Sequence, residues 1–346
     1  MASHTRYVSA KKQSNFLTPA TSHTAIGEVE SEGFQQSYDV MKRNDMNYYG
    51  AAKAIVSKKT AEGSFSAPLQ PDHFTLMMLH GIMGTDAQGA SASAARTFNE
   101  LTISATTELP VFTFHVGRDE KAHIFDGQVI ESISVSSSIG EYAMMSVNTI
   151  GRKQSSSTTA LATAVPTYTK DAAHFAKAFI DFEGTATNSN FSKLVQSIDF
   201  EIKTNRDIEN SYTLGDETCV RTPPTTLRDI SGSITFSKAL LTGDVTNAEP
   251  FFDELMGATQ ANAQAVQNPG SAVPALSVLF EVSSTDFIRF DFFKLHFEMP
   301  ETSVSGRDSQ TMSVAFHALY DLGDANKMMS INCRSSDSSA LADYDA

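Results

Sequence analysis

The chain repeats one pattern of strands, turns and a helix at a spacing of about half its 346 residues. From Gly63-Ser64-Phe65 an alternating apolar strand runs into a helical stretch, Asp72 to Met83, that stops at Gly84. From Gly232-Ser233-Ile234 a second such strand runs into a helical stretch, Pro250 to Met256, that stops at Gly257. Leu109-Pro110-Val111-Phe112 is echoed by Val273-Pro274-Ala275-Leu276, Ile124-Phe125-Asp126 by Arg289-Phe290-Asp291, and Met145-Ser146-Val147 by Met312-Ser313-Val314. The offsets are 169 at Gly63, 173 at Gly84, 164 at Pro110, 165 at Phe125 and 167 at Met145. Such a small drift is what changes in loop length between two copies of one fold produce. The chain is long enough for each copy to bury its own core.

Strands dominate the pattern. Ile198, Phe200 and Ile202 alternate with Asp199, Glu201 and Lys203, which puts one face on a core and the other in water. Phe112, Phe114 and Val116 alternate with Thr113 and His115 in the same way, as do Leu276, Val278 and Phe280, then Ile288, Phe290 and Phe292, then Met312, Val314 and Phe316. Turn signals such as Gly117-Arg118-Asp119 and Ser305-Gly306-Arg307-Asp308 separate them. The expected fold class is mainly β: two tandem β-sandwich or open-barrel units, each with one flanking helix. In the first helix Phe74, Met77, Met78 and Ile82 share a face and Asp72 favours the N-terminus; in the second, Pro250 fits the first turn. Residues 1–50 read as an extended N-terminal arm with a short strand near Gln35 to Met41, 51–153 as the first unit, 154–176 as a linker, 177–321 as the second unit, and 322–346 as a flexible acidic tail. Thr85 to Thr107, Asp216 to Asp229 and Ala258 to Ala272 read as long polar loops, a feature of subunits that stack into assemblies.

Charge and motifs exclude more than they assign. With 26 Lys and Arg against 40 Asp and Glu, the net charge of −14 disfavours a protein that grips nucleic acid by its phosphates. The same balance does not disfavour a protein that must let nucleic acid slide past, because like charge prevents sticking. No apolar run approaches a membrane span, and Met1 to Lys12 lacks the apolar core of a signal peptide, so a cytoplasmic origin is expected. Cys219 and Cys333 read as free thiols. There is no phosphate-binding loop, His-Glu-x-x-His or nucleophile elbow, and His115, His296 and His317 fall opposite core residues, where solvated or interface positions are expected. Asp181 with Glu183, and Asp199 with Glu201, would share strand faces as a glycosidase's acids do, but a chain with 40 acids supplies such spacing by chance, and its lack of Trp removes the usual sugar platform. No cofactor, metal or catalytic residue is assigned.

The order of these pieces resembles that of the tail tube proteins, or major tail proteins, of tailed bacteriophages. The likeness covers about Gly63 to Asp321. It rests on the strand and helix Gly63 to Gly84, Arg96-Thr97-Phe98, Leu109-Pro110, the run Phe125-Asp126-Gly127-Gln128-Val129-Ile130, Ser136 to Gly140, Tyr212-Thr213-Leu214-Gly215, Ile230 to Phe236, and Met299-Pro300 before Gly306-Arg307-Asp308. The resemblance implies a structural virion protein, not an enzyme, assembled in the host cytoplasm. Its inner strands would join those of neighbouring subunits around a channel, and rings would stack through an N-terminal arm and long loops into the tube through which DNA leaves the capsid. Its partners would be further copies of itself and the tail tip or baseplate, tail terminator and tape-measure proteins, with DNA passing the lumen without tight binding and no membrane involved. Family members commonly carry one tube domain and form hexameric rings; two in one chain imply a trimeric ring with pseudo-sixfold symmetry. The candidate lumen-facing acids are Glu131, Asp199, Glu201 and Glu298, which read equally as ordinary solvated surface acids. A β-sandwich that binds a receptor or glycan, and an all-β hydrolase using paired acids, are the competing readings.

Overall fold

The computed structural model describes residues 6–21, 25–44, 46–47, 49–87, 95–101, 108–119, 121–159, 170–182, 185–187, 195–236, 273–298, 301–302, 312–322 and 327–336. The expected helix from Pro250 to Met256, the loop from Ala258 to Ala272 and the last ten residues lie outside them. Period-two alternation is realised as antiparallel strands. In chain order these are β1 (Arg6–Lys12), β2 (Ala25–Gly27), β3 (Ser31–Glu32), β4 (Gln35–Asn44) and β5 (Ala51–Pro68), then helix α1 (His73–Met83), then β6 (Gly84–Ala87), β7 (Arg96–Glu100), β8 (Phe112–Arg118), β9 (Lys121–Ser138), β10 (Met144–Gly151) and β11 (Lys153–Thr159). There follow β12 (Ala178–Phe182), β13 (Val195–Lys203), β14 (Asp229–Phe236), β15 (Leu276–Ser283), β16 (Asp286–Phe292), β17 (Leu295–Phe297), β18 (Glu301–Thr302), β19 (Met312–Ala318) and β20 (Met329–Arg334).

The mainly β class holds, in two sheets. One has 14 strands, and its long path runs β17-β19-β14-β13-β9-β10-β5-β3, with β4 also along β5 and β18 along β19. The other has six, in the order β12-β15-β16-β20-β7-β6. Strand β9 serves two neighbourhoods: its second half lies in the long path, while its first half pairs with β8 and β11, and β8 continues to β1 and β2. Gly127, at φ 64, marks the corner between the halves, and a Cβ there would stand 2.8 Å from that of Arg152.

Six ladders recur with the same partners in the same order. In the first half β1-β8-β9-β11 and β9-β10-β5-β4 form two runs; in the second, β12-β15-β16-β20 and β17-β19-β14-β13 form two more. Registers recur too. Gly63 stands opposite Thr149 and Gly232 opposite Phe316, while Phe114 stands opposite Phe125 and Val278 opposite Phe290. Gly63 and Gly232 each press an inward face on aromatic rings. A Cβ at Gly63 would lie 2.2 Å from the ring of Phe34, and one at Gly232 2.6 Å from that of Phe316 and 2.7 Å from Cβ of Phe200. Beneath these glycines the rings of Phe34 and Phe125 lie 5.2 Å apart and those of Phe200 and Phe290 4.9 Å apart, within the range of favourable aromatic pairs.

Helix α1 begins where Asp72 accepts a hydrogen bond from the Thr75 N–H at 2.8 Å and ends at Gly84, at φ 99, as the sequence predicts. All of Phe74 to Met83 is buried, so the helix is covered on every side, with β9 on one flank and β2, β6 and β7 on others. Leu76 and Leu79 supply the apolar surface opposite the predicted face of Phe74, Met77, Met78 and Ile82.

Several stretches read as connections carry strands. The predicted arm contains β1 to β4, and Val8 and Ala10 of β1 are core residues. The predicted linker begins in β11, the predicted tail contains β20, and the predicted loop after Gly84 contains β6 and β7. In β20 the inward residues Met329, Ile331 and Cys333 are buried, but this short alternation sits beside a Ser/Asp-rich end that masks it. His115 is buried rather than solvated, because residues of the N-terminal segment fold over its face of β8: Gln13 and the Ala20 N–H both donate to Thr113 Oγ1, and the Tyr7 ring lies on Gly117.

Candidate functional site

The long sheet has one apolar face, carrying Phe65, Val147, Ile133, Val135, Phe200, Ile202, Ile234 and Val314 into the core. Alternation turns their neighbours to the opposite face, and register lines those neighbours up in rows across the strands. One row runs Ser31, Ser66, Ser146, Ser134, Glu201, Ser231, His317, His296 over eight successive strands. At about 4.8 Å per strand it spans roughly 34 Å. The flanking rows read Ser64, Asn148, Ser132, Lys203, Asp229 and Pro68, Met144, Ser136, Asp199, Ser233, Ala315. Short hydroxyl side chains make up five of the eight residues of the central row and recur in both flanking rows.

All four acids singled out in the sequence come to this face. Asp199 is exposed, and its Oδ1 accepts a hydrogen bond from Ser233 Oγ at 2.7 Å. Glu201 pairs with Lys203 Nζ at 2.9 Å. That contact raises the pKa of the lysine, which stays charged. Glu298 is exposed beyond the end of β17, with Oε1 3.1 Å from Nε2 of His317. Glu131 reaches the face through a register shift in the β9–β10 ladder beside Asn148 and Thr149. Its carboxyl is pushed up, first by partial burial and then by Glu62 and Glu201, while Arg206 and Lys203 oppose the shift. Half-buried Arg206 is itself lowered to about 10, chiefly by desolvation.

The serines were missed, although Ser132, Ser134, Ser136 and Ser138 announce themselves at every second position and Ser64, Ser66, Ser231 and Ser233 repeat the signal. Glu62 and Asp229 were missed as well. The paired-acid geometry of a glycosidase does not arise at Asp199 and Glu201, since each points to a hydroxyl or a lysine on an open strand face and not across a cleft. A surface of small hydroxyls with scattered acids and few cations offers phosphate no cluster of positive charge.

Among individually curated proteins, the chain matches none. The family model of phage tail tube proteins matches residues 3–318, nearly the whole chain and every strand named above except β20. The chain is therefore a member of the phage tail tube protein family, a structural protein of the virion tail.

Proposed function

We propose that the serine-rich face lines the channel of the tail tube and lets DNA pass towards the host without binding it. The ladder of β13 on β9 carries this reading: it joins the strands of the second half to those of the first in one continuous sheet, with Phe200 opposite Val135 and Asp199 opposite Ser136. Two like units thus meet edge to edge within one chain, as neighbouring subunits of a ring would. Three chains joined in the same manner supply six units and close a pseudo-sixfold ring. The acids Glu131, Asp199, Glu201 and Glu298 then lie on the lumen wall, where like charge repels the phosphates of DNA.

Rings of this kind stack into a tube assembled in the host cytoplasm, capped by tail tip and terminator proteins and filled before ejection by a tape-measure protein. Electron microscopy of the purified full chain, with class averages of end-on views, tests the reading. Hollow rings of three chains are expected. A strictly monomeric species at high concentration refutes the tube, and rings of six chains refute the two-unit count.

A further inference from the structure

The long sheet has two open ends. At one, β17 and β18 pair only with β19; at the other, β3 and β4 pair only with β5, among the described residues. Glu32 stands opposite Phe65 and Gln35 opposite Glu62, which brackets Phe34 opposite Gly63. The Gly33 N–H donates to the Ser64 carbonyl at 2.7 Å, so antiparallel alternation turns the N–H and C=O of Phe34 away from β5, towards the free edge. Both outward groups are capped by side chains. The Phe34 N–H donates to Glu32 Oε2 at 3.1 Å, and Arg118 Nη2 donates to the Phe34 carbonyl at 2.6 Å. Arg118 also grips Glu32 in a two-pronged pair, Nε to Oε1 at 2.8 Å and Nη2 to Oε2 at 2.7 Å.

The internal seam supplies the template for what replaces this cap. Phe200 occupies in the second half the place of Phe34 in the first, since it stands opposite Gly232 as Phe34 does opposite Gly63. Across the seam Phe200 meets Val135, which on its other side stands opposite Met145. Met312 holds the place of Met145, and Thr302 stands opposite Met312. Thr302 is therefore the counterpart of Val135.

We propose that the Glu32–Arg118 pair is a removable cap on the sheet edge, displaced when the strand Glu301–Thr302 of a second copy of this chain pairs with β3 and β4 in the register of the β13–β9 seam. Phe34 then lies opposite Thr302 and Gln35 opposite Glu301 of the adjoining copy. The inference rests on the ring reading above. Capping an edge strand in the free chain guards it against indiscriminate pairing, and the charged pair is cheap to swing away because both side chains remain partly exposed.

In this register Gln35 and Glu301 form a non-hydrogen-bonded pair, whose Cα atoms approach to about 4.5 Å, within reach of a disulfide. The test is the full chain carrying Gln35→Cys and Glu301→Cys, oxidised mildly and run on a non-reducing gel; native Cys219 and Cys333 are buried and provide the background control. Covalent dimers and a closed trimer are expected, with the shifted pair Ser37→Cys and Glu301→Cys yielding at least about tenfold less. Rings visible by microscopy without cross-links, or an equal yield from the shifted pair, overturn the register and leave the ring standing. The absence of any ring overturns the underlying reading itself. Arg118→Ala, which frees the Phe34 carbonyl and breaks the pair that holds Glu32 in place, is expected to lower the concentration for half-assembly about tenfold; weaker assembly overturns the cap.

Discussion

Asp199 of β13 stands directly opposite Ser136 of β9, across the ladder that joins the two halves of the chain. On its other side it faces Ser233, whose hydroxyl it accepts. A carboxylate held between two serines at the centre of a broad sheet is solvated and fixed in place, with no cation at hydrogen-bond distance among the described residues. It repels polyanions and leaves them nothing to hold.

Replacing both Asp199 and Glu201 by Lys is expected to leave folding and assembly intact, because both project from the face opposite the core. DNA release from assembled particles should slow, since new cations at this face retain phosphates and the retention weakens as salt rises. Ejection kinetics at two salt concentrations measure it. Unchanged release at low salt removes these residues from the channel wall.

Gly63→Ala and Gly232→Ala should each destabilise the fold by about 1–3 kcal/mol, because the new methyl meets Phe34 or the Phe200 and Phe316 pair with no room to retreat. Gly50→Ala has nothing within 4 Å and should change stability by no more than about 0.5 kcal/mol. Thermal melts of the three variants decide the matter. A neutral result at Gly232 with a costly one at Gly63 contradicts the equivalence of the two sites.

Two aspartates give opposite pH signatures. Burial pushes Asp72 up to about 6, against the pull of the Thr75 N–H and hydroxyl. The folded chain then binds more protons than the unfolded one between about pH 4 and 6, so this group's contribution falls as pH rises through that window. Burial also acts on Asp286, but hydrogen bonds from the Ser336 N–H, Ser283, Lys170 and the Ser336 hydroxyl outweigh it and hold the carboxyl well below its usual range. Its contribution is present above about pH 4 and is lost in acid. Denaturation of Asp72→Asn and Asp286→Asn across pH 2 to 8 should flatten the first dependence and the second separately. Identical profiles for the two variants contradict the assignment.

Removing residues 1–30 strips β1 from β8, takes away β2 on its far side and uncovers Phe114 and Val116. A fall in thermal stability is expected along with any effect on stacking. A truncated chain that melts like the intact one would place β1 outside the folding unit.

Local chemistry made much of this architecture readable. The Asp72 cap, the Gly84 stop and the alternation in Gln196 to Lys203 are written in adjacent residues, and they reappear in α1 and β13. Alternation also assigns Asp199 and Glu201 to the face away from the core. Which strand lies alongside is another matter, because no residue in Ile198-Asp199-Phe200 names Ser136 or Val135 as its neighbour some sixty positions earlier. The same holds for β20, whose membership in the six-stranded sheet depends on partners in β16 and β7. The serine row was legible and overlooked: a hydroxyl signals neither core nor catalysis, and its meaning appears only when strands from both ends of the chain set many hydroxyls side by side.

Because β9 and β13 belong to one polypeptide, their seam closes in a single-molecule step at an effective concentration no free subunit reaches. In the proposed ring of three, half of all seams are complete before two chains ever meet. Assembly then depends on the third power of protein concentration where six separate subunits would demand the sixth, and a dilute early pool of chains can still close its first rings.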